Sequence, residues 1–402
     1  MDFPSYTAAR DALLRRVRPV ETERVALDAA LGRILAEDLI AAENIPPFDR
    51  SAYDGYAFRA ADLAAASEGS PVTLHITEEI PAGATPREEV VPGTCAKVLT
   101  GAPIPPGADA VINYEVTRFT DAEVTFFAPV AAGSNIVRAG EDVKKGTALA
   151  RKGDLIDPGT VGTLAAQGVT QPLVYRRARV ALLSTGSELV DAGDVPGPGQ
   201  IRNTNAHTLS AALRRLGAEP VYLGIAVDTV EGIAALIERG LRECDAVIST
   251  GGVSVGDYDL TPAAMERCGV ETLVRGVALK PGMACAYGTR DGKLMCALSG
   301  NPASCVVNFY TVVLPALRAL CGCREAIPEE ITLTLVGGFS KPSSSTRVLR
   351  GKLDLSDGTA RFSPGRQGNA VLSSTIGCDA YAFIPEGSGP LPDGAKLKGY
   401  LL

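Results

Sequence analysis

The residues with the clearest chemistry form a glycine-rich stretch that ends in two aspartates. Residues 250–260 read TGGVSVGDYDL. Glycine lets a backbone come close to a ligand and point several N–H groups at one anion. Carboxylates repel anions, so acids beside such a nest indicate that Mg²⁺ lies between them. The stretch therefore predicts an anion site with metal ligands, formed by Gly251, Gly252, Ser254, Gly256, Asp257 and Asp259.

A second loop has the same plan. Residues 179–184, RVALLS, form a buried-strand pattern, and Thr185, Gly186 and Glu188 follow it. Ligands of an open α/β sheet bind beyond the carboxyl ends of its strands. Two Thr-Gly loops at strand ends, each followed by an acid, favour a ligand site over two ordinary tight turns. Asp228 ends another predicted strand, VYLGIAVD, so we expect it on the same rim as a further metal ligand.

A third loop and a Lys-Pro-Gly turn join these two. The sequence ALSGNPAS (297–304) is a strand end followed by a long apolar helix, with Asn301 as its cap and Pro302 in its first turn. The free N–H groups of such a helix start can hold an anion. The residues added to the candidate site are Ser299, Gly300, Asn301, Lys280, Pro281 and Gly282. The residues alone thus indicate a Mg²⁺-dependent site for a phosphate-bearing ligand, with a nucleotide favoured, and they leave the substrate open.

The elements that must position these loops change character along the chain. Strand and helix patterns alternate from about 178 to 320, which predicts a mostly parallel, doubly wound sheet. Residues 70–150 and those beyond 328 read as short β-runs separated by turns, which predicts two smaller β-rich modules. Helices are predicted over 5–17, 23–36 and 157–168, the last with Asp157 as its N-cap.

Composition narrows the class of protein. A net charge of −7 without a long Lys/Arg run argues against nucleic acid or an anionic membrane as the partner. No segment approaches the roughly 18 uninterrupted apolar residues of a membrane helix, and the N-terminus lacks a signal-peptide pattern. The nine scattered cysteines and two histidines favour buried thiols over a zinc site or histidine-based nucleophilic catalysis. We therefore expect a cytoplasmic protein.

Several motifs, taken in order, resemble one family. STGSEL, IRNTN, GGVSVGDYD, KPG and SGNPAS are similar to the molybdopterin-binding domain of the molybdopterin molybdenumtransferases, the bacterial relatives of the gephyrin E domain. Upstream, PPFDRSAYDGYA (46–57), TGAPIPPGADAVINYE (100–115) and RAGEDVKKG (138–146) resemble that family's lid-domain signatures. QGNAVLSS (367–374) resembles its C-terminal β domain, so the resemblance covers nearly the whole chain.

The resemblance implies a multidomain α/β plus β fold. An elongated dimerisation domain would comprise 1–45 plus 147–177, with a β-rich lid domain inserted at 46–146. The doubly wound molybdopterin-binding domain would span 178–327, and a small C-terminal β domain would span 328–402. Such enzymes are homodimers in which the lid of one subunit faces the sheet domain of the other. A molybdopterin adenylyltransferase and maturation factors of molybdoenzymes are candidate further partners.

The resemblance also implies a reaction and roles for residues. Enzymes of this family hydrolyse adenylylated molybdopterin with Mg²⁺, insert molybdate, and release molybdenum cofactor and AMP. Ser299, Gly300 and Asn301 match the family's pterin-phosphate loop. The residues that resemble its catalytic acids, its lysine and its lid-side polar residues are Glu188, Asp228, Asp259, Lys280, Asp54, Thr100 and Asp142.

Three motifs depart from the family pattern. The common KPGKP is KPGMA here, so Met283 stands where a second lysine is usual, and Gly276 marks an upstream position that is often basic. LPGNP is LSGNP, and SAMDGYA is SAYDGYA. Lys280 and Arg275 are the cations we expect near the oxyanion, and the missing lysine leaves tungstate open beside molybdate.

Two alternative functions stay open at this point. A molybdopterin adenylyltransferase shares the sheet domain, but it needs neither the lid nor the terminal β module. A non-catalytic dimeric scaffold or cofactor carrier would not need Glu188, Asp228 and Asp259. Substituting these acids would leave scaffold binding unchanged and abolish metal insertion, so the two classes can be told apart.

Overall fold

The computed structural model describes residues 3–253 and 260–402, and the chain divides into two compact units. The first unit comprises the residues up to 37, 152–161 and 171–402; the second comprises 38–151 and 162–170. Both units are discontinuous in the sequence. This division is coarser than the four domains expected from the sequence, which stay a prediction.

A six-stranded sheet forms the centre of the first unit. Its strands lie in the order Glu219–Ala226, Arg179–Thr185, Ala246–Thr250, Lys293–Leu298, Cys285–Arg290 and Glu271–Arg275. The first four are parallel, whereas Cys285–Arg290 is antiparallel to both of its neighbours. This confirms the predicted doubly wound α/β sheet.

Apolar residues on both faces of the strands explain why helices cover the sheet on two sides. Val180 and Leu182 pack into one core, and Ala181 and Leu183 pack into the other. Thr229 caps one covering helix, since its hydroxyl accepts from Gly232 N–H at 3.0 Å. The helices of this unit are Tyr6–Leu14, Asn205–Leu216, Val230–Glu243, Leu260–Arg267, Pro302–Asn308 and Leu314–Leu320, with a π-helical turn at Phe309–Val313.

Five strands near the C-terminus close into a small barrel. They pair in the circular order Thr346–Asp354, Arg361–Pro364, Ile331–Leu335, Lys396–Leu401 and Ala380–Ile384, with a short 3₁₀ helix at Leu372–Thr375. Leu279–Lys280 adds a short parallel pairing to Thr346 and Arg347. The predicted C-terminal β module is therefore confirmed, and it is joined to the Lys-Pro-Gly turn by backbone hydrogen bonds.

The helix predicted over 23–36 is wrong. The structure has the strand Thr22–Arg24, paired with Leu173–Tyr175, and a 3₁₀ turn at Leu27–Ala29. Backbone N–H groups that a helix would use internally bond to distant carbonyls instead: Leu35 N–H donates to Asp154 at 2.9 Å. Helical spacing of leucines cannot reveal these long-range partners. The helix predicted over 157–168 is present as Pro158–Ala166, and the Asp157 carboxylate accepts from Thr160 N–H at 2.7 Å.

The second unit is built on a curled six-stranded sheet. Its strands lie in the order Ala110–Asn113, Gly55–Phe58, Thr94–Val98, Val72–Ile80, Glu123–Phe126 and Arg118–Phe119. Two further pairs join Arg50–Ser51 to Ile136–Val137 and Leu39–Ile40 to Ala148–Ala150, and 3₁₀ turns lie at Ala60–Leu63 and Tyr114–Val116. Gly55 must be glycine, because a Cβ there would lie 1.9 Å from the Ile112 carbonyl oxygen. The predicted β-rich module is confirmed.

Buried thiols and one long apolar helix complete the fold. All nine cysteines are free, seven of them are buried, and burial raises the pKa of Cys296 and Cys305 above the ordinary thiol value. Within the described part of the chain, Pro302–Leu320 is the one segment long and apolar enough to cross a membrane, with a mean hydropathy of 1.5. Because 78% of its most apolar 18-residue stretch is buried inside the protein, the segment also fits a core helix.

Candidate functional site

The predicted loops meet at one edge of the central sheet. The parallel register pairs Thr185 with Ala226, Ser184 with Thr250, and Thr250 with Leu298, so the carboxyl ends of four strands lie side by side. After Arg179–Thr185 the chain forms Glu219–Ala226, its neighbour on one side of the sheet. After Ala246–Thr250 it forms Glu271–Arg275, at the opposite edge of the sheet. Such a switch point opens a crevice for ligands beyond the strand ends.

Glycines let three of these loops pack directly against each other. A Cβ on Gly251 would lie 2.3 Å from the Thr185 carbonyl oxygen, and φ at Gly251 is +94°. Its N–H donates to the Leu298 carbonyl at 2.9 Å. A Cβ on Gly300 would lie 3.5 Å from the Gly251 Cα. The Thr185, Gly251 and Gly300 loops therefore lie against each other, and Gly251 has no room for a side chain, whereas a Cβ on Gly300 would make an ordinary van der Waals contact.

Polar atoms without partners lie just below this surface. The hydroxyls of Thr185 and Ser249 and the Oδ1 of Asn205 are buried and accept or donate no hydrogen bond. Asn205 Nδ2 donates to the Gly300 carbonyl at 2.9 Å, which fixes its amide orientation and leaves Oδ1 as a free acceptor. Buried polar groups normally have partners, so a cluster of exceptions at one edge fits a site that a polar ligand or ordered water completes.

Two acidic side chains flank the crevice. Glu188 and Asp228 are both exposed. The Glu188 carboxylate lies over Gly186, since a Cβ on that glycine would be 2.5 Å from Oε2. Asp228 lies two residues beyond Ala226, the register partner of Thr185. Within 3–253 and 260–402, no three His, Cys, Asp or Glu side chains cluster as they would around a metal ion. Four of the predicted site residues lie outside these described ranges: Ser254, Gly256, Asp257 and Asp259.

The Lys-Pro-Gly turn belongs to the same edge. The turn lies on the connection between the strands Glu271–Arg275 and Cys285–Arg290. The strand Glu271–Arg275 ends at the carboxyl edge of the sheet, where Arg275 is exposed. Asn308 Nδ2 donates to the Gly282 carbonyl at 2.7 Å, so the turn is fastened to the helix that follows Ser299–Asn301. Lys280 is exposed and Pro281 is buried.

The helix start at Asn301 differs from the prediction in one respect. Asn301 occupies the N-cap position and its N–H donates to Ser299 Oγ at 3.2 Å, but its side chain makes no capping bond. The Ala303 N–H, expected to be free, donates to the Asn369 carbonyl at 3.1 Å. Asn369 belongs to the QGNAVLSS segment, so part of the expected anion site is occupied by the chain itself.

The second unit brings together two of its three predicted residues. The Asp54 carboxylate accepts from the Thr100 N–H at 2.6 Å and from the Thr100 hydroxyl at 2.7 Å. These bonds, the hydroxyl first, lower the pKa of Asp54 below its ordinary value. Asp142 is exposed, and its N–H donates to the Ile45 carbonyl at 3.0 Å. Within the described residues, no hydrogen bond joins Asp142 to the Asp54–Thr100 pair.

Replacing Thr100 by valine should raise the pKa of Asp54. Valine keeps the shape of threonine but cannot donate the hydroxyl bond, so the carboxylate is less stabilised and only the backbone bond remains. A group with a lowered pKa stabilises the folded state above its unfolded pKa and loses that contribution as the pH falls. As the pH falls, Thr100→Val should therefore lose the contribution of Asp54 to folding stability at a higher pH than the parent does.

Carbon-13 NMR titration of the aspartate carboxyls measures this shift. Asp49 is the internal control, because its pKa is lowered by the Ala139 N–H and by Arg138 rather than by Thr100. An unchanged Asp54 titration in Thr100→Val would contradict the assigned cause.

Comparisons with known proteins agree with this arrangement. The chain matches the family models described as "MoeA N-terminal region (domain I and II)" over 4–168, "Probable molybdopterin binding domain" over 181–319 and "MoeA C-terminal region (domain IV)" over 332–402. The fold and the site edge thus define a multidomain protein of the molybdopterin-binding class.

Full-length relatives make the assignment specific. The chain is 36% identical to the molybdopterin molybdenumtransferase of Bacillus subtilis strain 168, over 98% of this chain and 93% of that protein. It is 35% identical to the one of Staphylococcus aureus strain Mu50, over 90% of this chain and 87% of that protein. A crystal structure of the molybdopterin biosynthesis MoeA protein of Pyrococcus horikoshii superposes with a TM-score of 0.85 at 32% identity, covering all of both chains. The chain belongs to the molybdopterin molybdenumtransferase family.

Some residues at this edge were not predicted from the sequence. Asn205, Asn308 and Asn369 each bond to a loop of the site. Asn205 lies in the IRNTN motif, whose place between two glycine loops was the one available signal. Asn369 lies in the QGNAVLSS motif, but nothing in the sequence indicated its contact with Ala303, and Asn308 gave no signal, because its partner Gly282 is distant in the sequence.

Proposed function

We propose that this protein is a molybdopterin molybdenumtransferase. It takes adenylylated molybdopterin and molybdate, hydrolyses the adenylate, and releases molybdenum cofactor and AMP. One observation carries the proposal most directly: the Thr185, Gly251 and Gly300 loops pack together at the edge that also holds Glu188 and Lys280. Family membership supports the same activity.

The chain's own residues mainly bind and position. The glycine loops can bring backbone N–H groups close to a phosphate, as in other anion nests, although the N–H groups of Gly251 and Ala303 already bond to carbonyls of the chain. Asn205 Oδ1, a buried acceptor without a partner, suits an N–H group of the pterin. Lys280 supplies positive charge where the leaving phosphate becomes more negative. Cleavage of the anhydride needs little covalent chemistry from the protein beyond such positioning.

The donor set at this edge fits a magnesium ion. Mg²⁺ prefers carboxylate oxygens and usually keeps several waters, so one or two protein ligands are enough. Glu188 and Asp228 are exposed carboxylates beside the crevice, and Asp257 and Asp259 are further candidates. When bound, Mg²⁺ would neutralise charge on the phosphates. The carboxylates would hold the ion, and the glycine loops would keep the phosphates beside it.

Other features of the proposal concern assembly and location. We infer a homodimer that works in the cytoplasm, with a molybdopterin adenylyltransferase and molybdoenzyme maturation factors as candidate partners. Asp54, Thr100 and Asp142 of the second unit remain candidate residues of the reaction. The family resemblance supports these assignments.

Release of AMP from adenylylated molybdopterin tests the function. The purified protein is assayed with Mg²⁺, first without an oxyanion, then with molybdate, and in parallel with tungstate. We expect oxyanion-dependent release, and the preferred oxyanion shows the effect of the KPGMA loop. Tight binding without release under every condition would contradict the proposal and favour a carrier or scaffold. Synthesis of the adenylate from ATP and molybdopterin would instead indicate an adenylyltransferase.

Adding a cation at Met283 should improve use of the oxyanion. Met283 is 43% exposed and lies two residues after Pro281, so a lysine there can extend into solvent without repacking. An added partly exposed charge is worth up to about 1 kcal/mol, so the KM for molybdate should fall about threefold to fivefold. Steady-state kinetics across molybdate concentrations measure the change.

Gly276→Lys is the matched comparison. That position has φ +75°, and a Cβ there would lie 2.4 Å from the Phe3 ring. We expect the same charge at this position to destabilise the protein instead of improving KM. An unchanged KM in Met283→Lys would show that the missing lysine does not limit oxyanion use.

A further inference from the structure

The acid Glu188 lies at the base of a short arm, which we define as Leu189–Arg202. Its two ends, Leu189–Val190 and Ile201–Arg202, pair as parallel strands. Ile201 N–H donates to the Glu188 carbonyl, and Asn203 N–H donates to the Val190 carbonyl, both at 2.8 Å. The backbone position of Glu188 therefore depends on how the arm is held.

A directed chain of side-chain hydrogen bonds holds the arm to the sheet. Asn203 Nδ2 donates to Ser184 Oγ and to Tyr222 Oη, both at 3.0 Å. Since Tyr222 Oη accepts that bond, its own hydrogen is available for the Asp191 carboxylate at 3.0 Å. In the same way Ser184 can donate to Thr250 Oγ1 at 3.0 Å. These hydrogen bonds therefore connect Asp191 on the arm to Ser184 and Thr250, at the ends of two central strands.

The inner members of this chain are deeply buried. Ser184 is 0% exposed, Asn203 2% and Thr250 3%. Asn203 is also fully used, because its Oδ1 accepts from the Ala206 N–H at 3.3 Å. Buried, satisfied polar networks have one low-energy arrangement, since breaking any bond leaves an unpaired group. Tyr222 is 39% exposed and is the single link to Asp191 in this network.

We propose that Tyr222 is a positioning residue that, through Asp191, fixes the arm and so holds Glu188 in place for the reaction. The proposal rests on the proposed function of Glu188. It assigns no contact of Tyr222 with substrate. Burial and the bond to Asp191 keep Tyr222 protonated, raising its pKa to about 12, so the phenol remains a donor through the neutral range.

A double-mutant cycle tests the proposal. Tyr222→Phe and Asp191→Ala both remove the Tyr222–Asp191 bond, and Tyr222→Phe also removes the oxygen that accepts from Asn203 Nδ2. Each variant should lower kcat for AMP release about tenfold, with KM for the adenylate within about twofold. The double variant should also be about tenfold slower, not a hundredfold, because the two residues act through one interaction. Asp191→Asn keeps an acceptor oxygen and should restore kcat to within about threefold of the parent.

Amide hydrogen exchange provides a readout that does not depend on activity. The Ile201 and Asn203 amides close the arm, so both should exchange faster in Tyr222→Phe and keep their parental rates in Asp191→Asn. Three results would each overturn the proposal. The arm amides could exchange at the parental rate in Tyr222→Phe, or the kcat losses could multiply in the double variant. The kcat of Asp191→Asn could also be as low as that of Asp191→Ala. If the parent releases no AMP, the proposed function fails, while the exchange rates still decide whether Tyr222 holds the arm.

Discussion

Lys280→Met should lower the rate of oxyanion-dependent AMP release about a hundredfold or more. Methionine keeps the length and apolar body of lysine but carries no charge. Lys280 is exposed on a turn that Asn308 fastens to the helix after Ser299–Asn301. Removing one preorganised group that stabilises developing negative charge typically costs about 10²–10³ in rate. The loss should fall on kcat more than on KM, because the charge develops in the transition state.

A matched control separates this effect from general loss of positive charge. Lys398 is also an exposed lysine of the first unit, and its strand, Lys396–Leu401, pairs with neither Leu279 nor Lys280. Lys398→Met should retain the parental rate within about twofold, and neither variant should unfold, since exposed substitutions rarely change stability by more than about 0.5 kcal/mol. Equal losses in both variants, or no loss in Lys280→Met, would contradict a local role for Lys280.

The sequence predicted the site edge because parallel strands impose it. Once strand patterns precede Thr185, Thr250 and Ser299, the sheet geometry places all three loops at the same edge. The positive φ of Gly251 and Gly252 follows from the same reasoning, since glycine in such loops marks close backbone approach. No side-chain geometry was needed for this part of the site.

Other features depend on partners far apart in the chain. Residues 23–36 have helical spacing, yet the N–H groups of Gly32, Leu35 and Ala36 donate to carbonyls at 154–156 and 173, which are more than a hundred positions away. Asn308 and Asn369 join loops separated by tens of residues, and a single sequence holds no periodic signal for such contacts. Tertiary hydrogen bonding overrode local propensity at these places.

The unpredicted asparagines share a physical role. Asn205 and Asn308 each donate from Nδ2 to a carbonyl of a glycine, Gly300 and Gly282 respectively, and each leaves a buried Oδ1 without a partner. Glycine loops gain close approach to a ligand but lose the rigidity that side-chain packing gives. An asparagine clamp restores that rigidity without filling the space above the loop. Glycines thus let a ligand approach the loop, whereas distant asparagines, Asn205 and Asn308, hold the loop in place.

Gly251→Ala should therefore destabilise the protein and disrupt the site together. At φ +94° any side chain is strained, and the new Cβ would lie 2.3 Å from the Thr185 carbonyl oxygen and 3.0 Å from its Oγ1. Backbone strain costs about 1–3 kcal/mol and overpacking a similar amount, so the free energy of unfolding should fall by about 3 kcal/mol or more. Thermal unfolding and binding of adenylylated molybdopterin measure the two effects.

Gly292→Ala isolates the contribution of the backbone conformation. Gly292 has φ +78° in the turn between two strands of the same sheet, and nothing lies within 4 Å of a Cβ built there. Its cost should be about 1 kcal/mol, from the left-handed conformation alone, with binding unchanged. If Gly251→Ala lowers the unfolding midpoint no more than Gly292→Ala does, the Thr185 loop yields to the new methyl group. Lost binding at equal stability would then mean that the glycine is required for the ligand's approach rather than for packing of the loops.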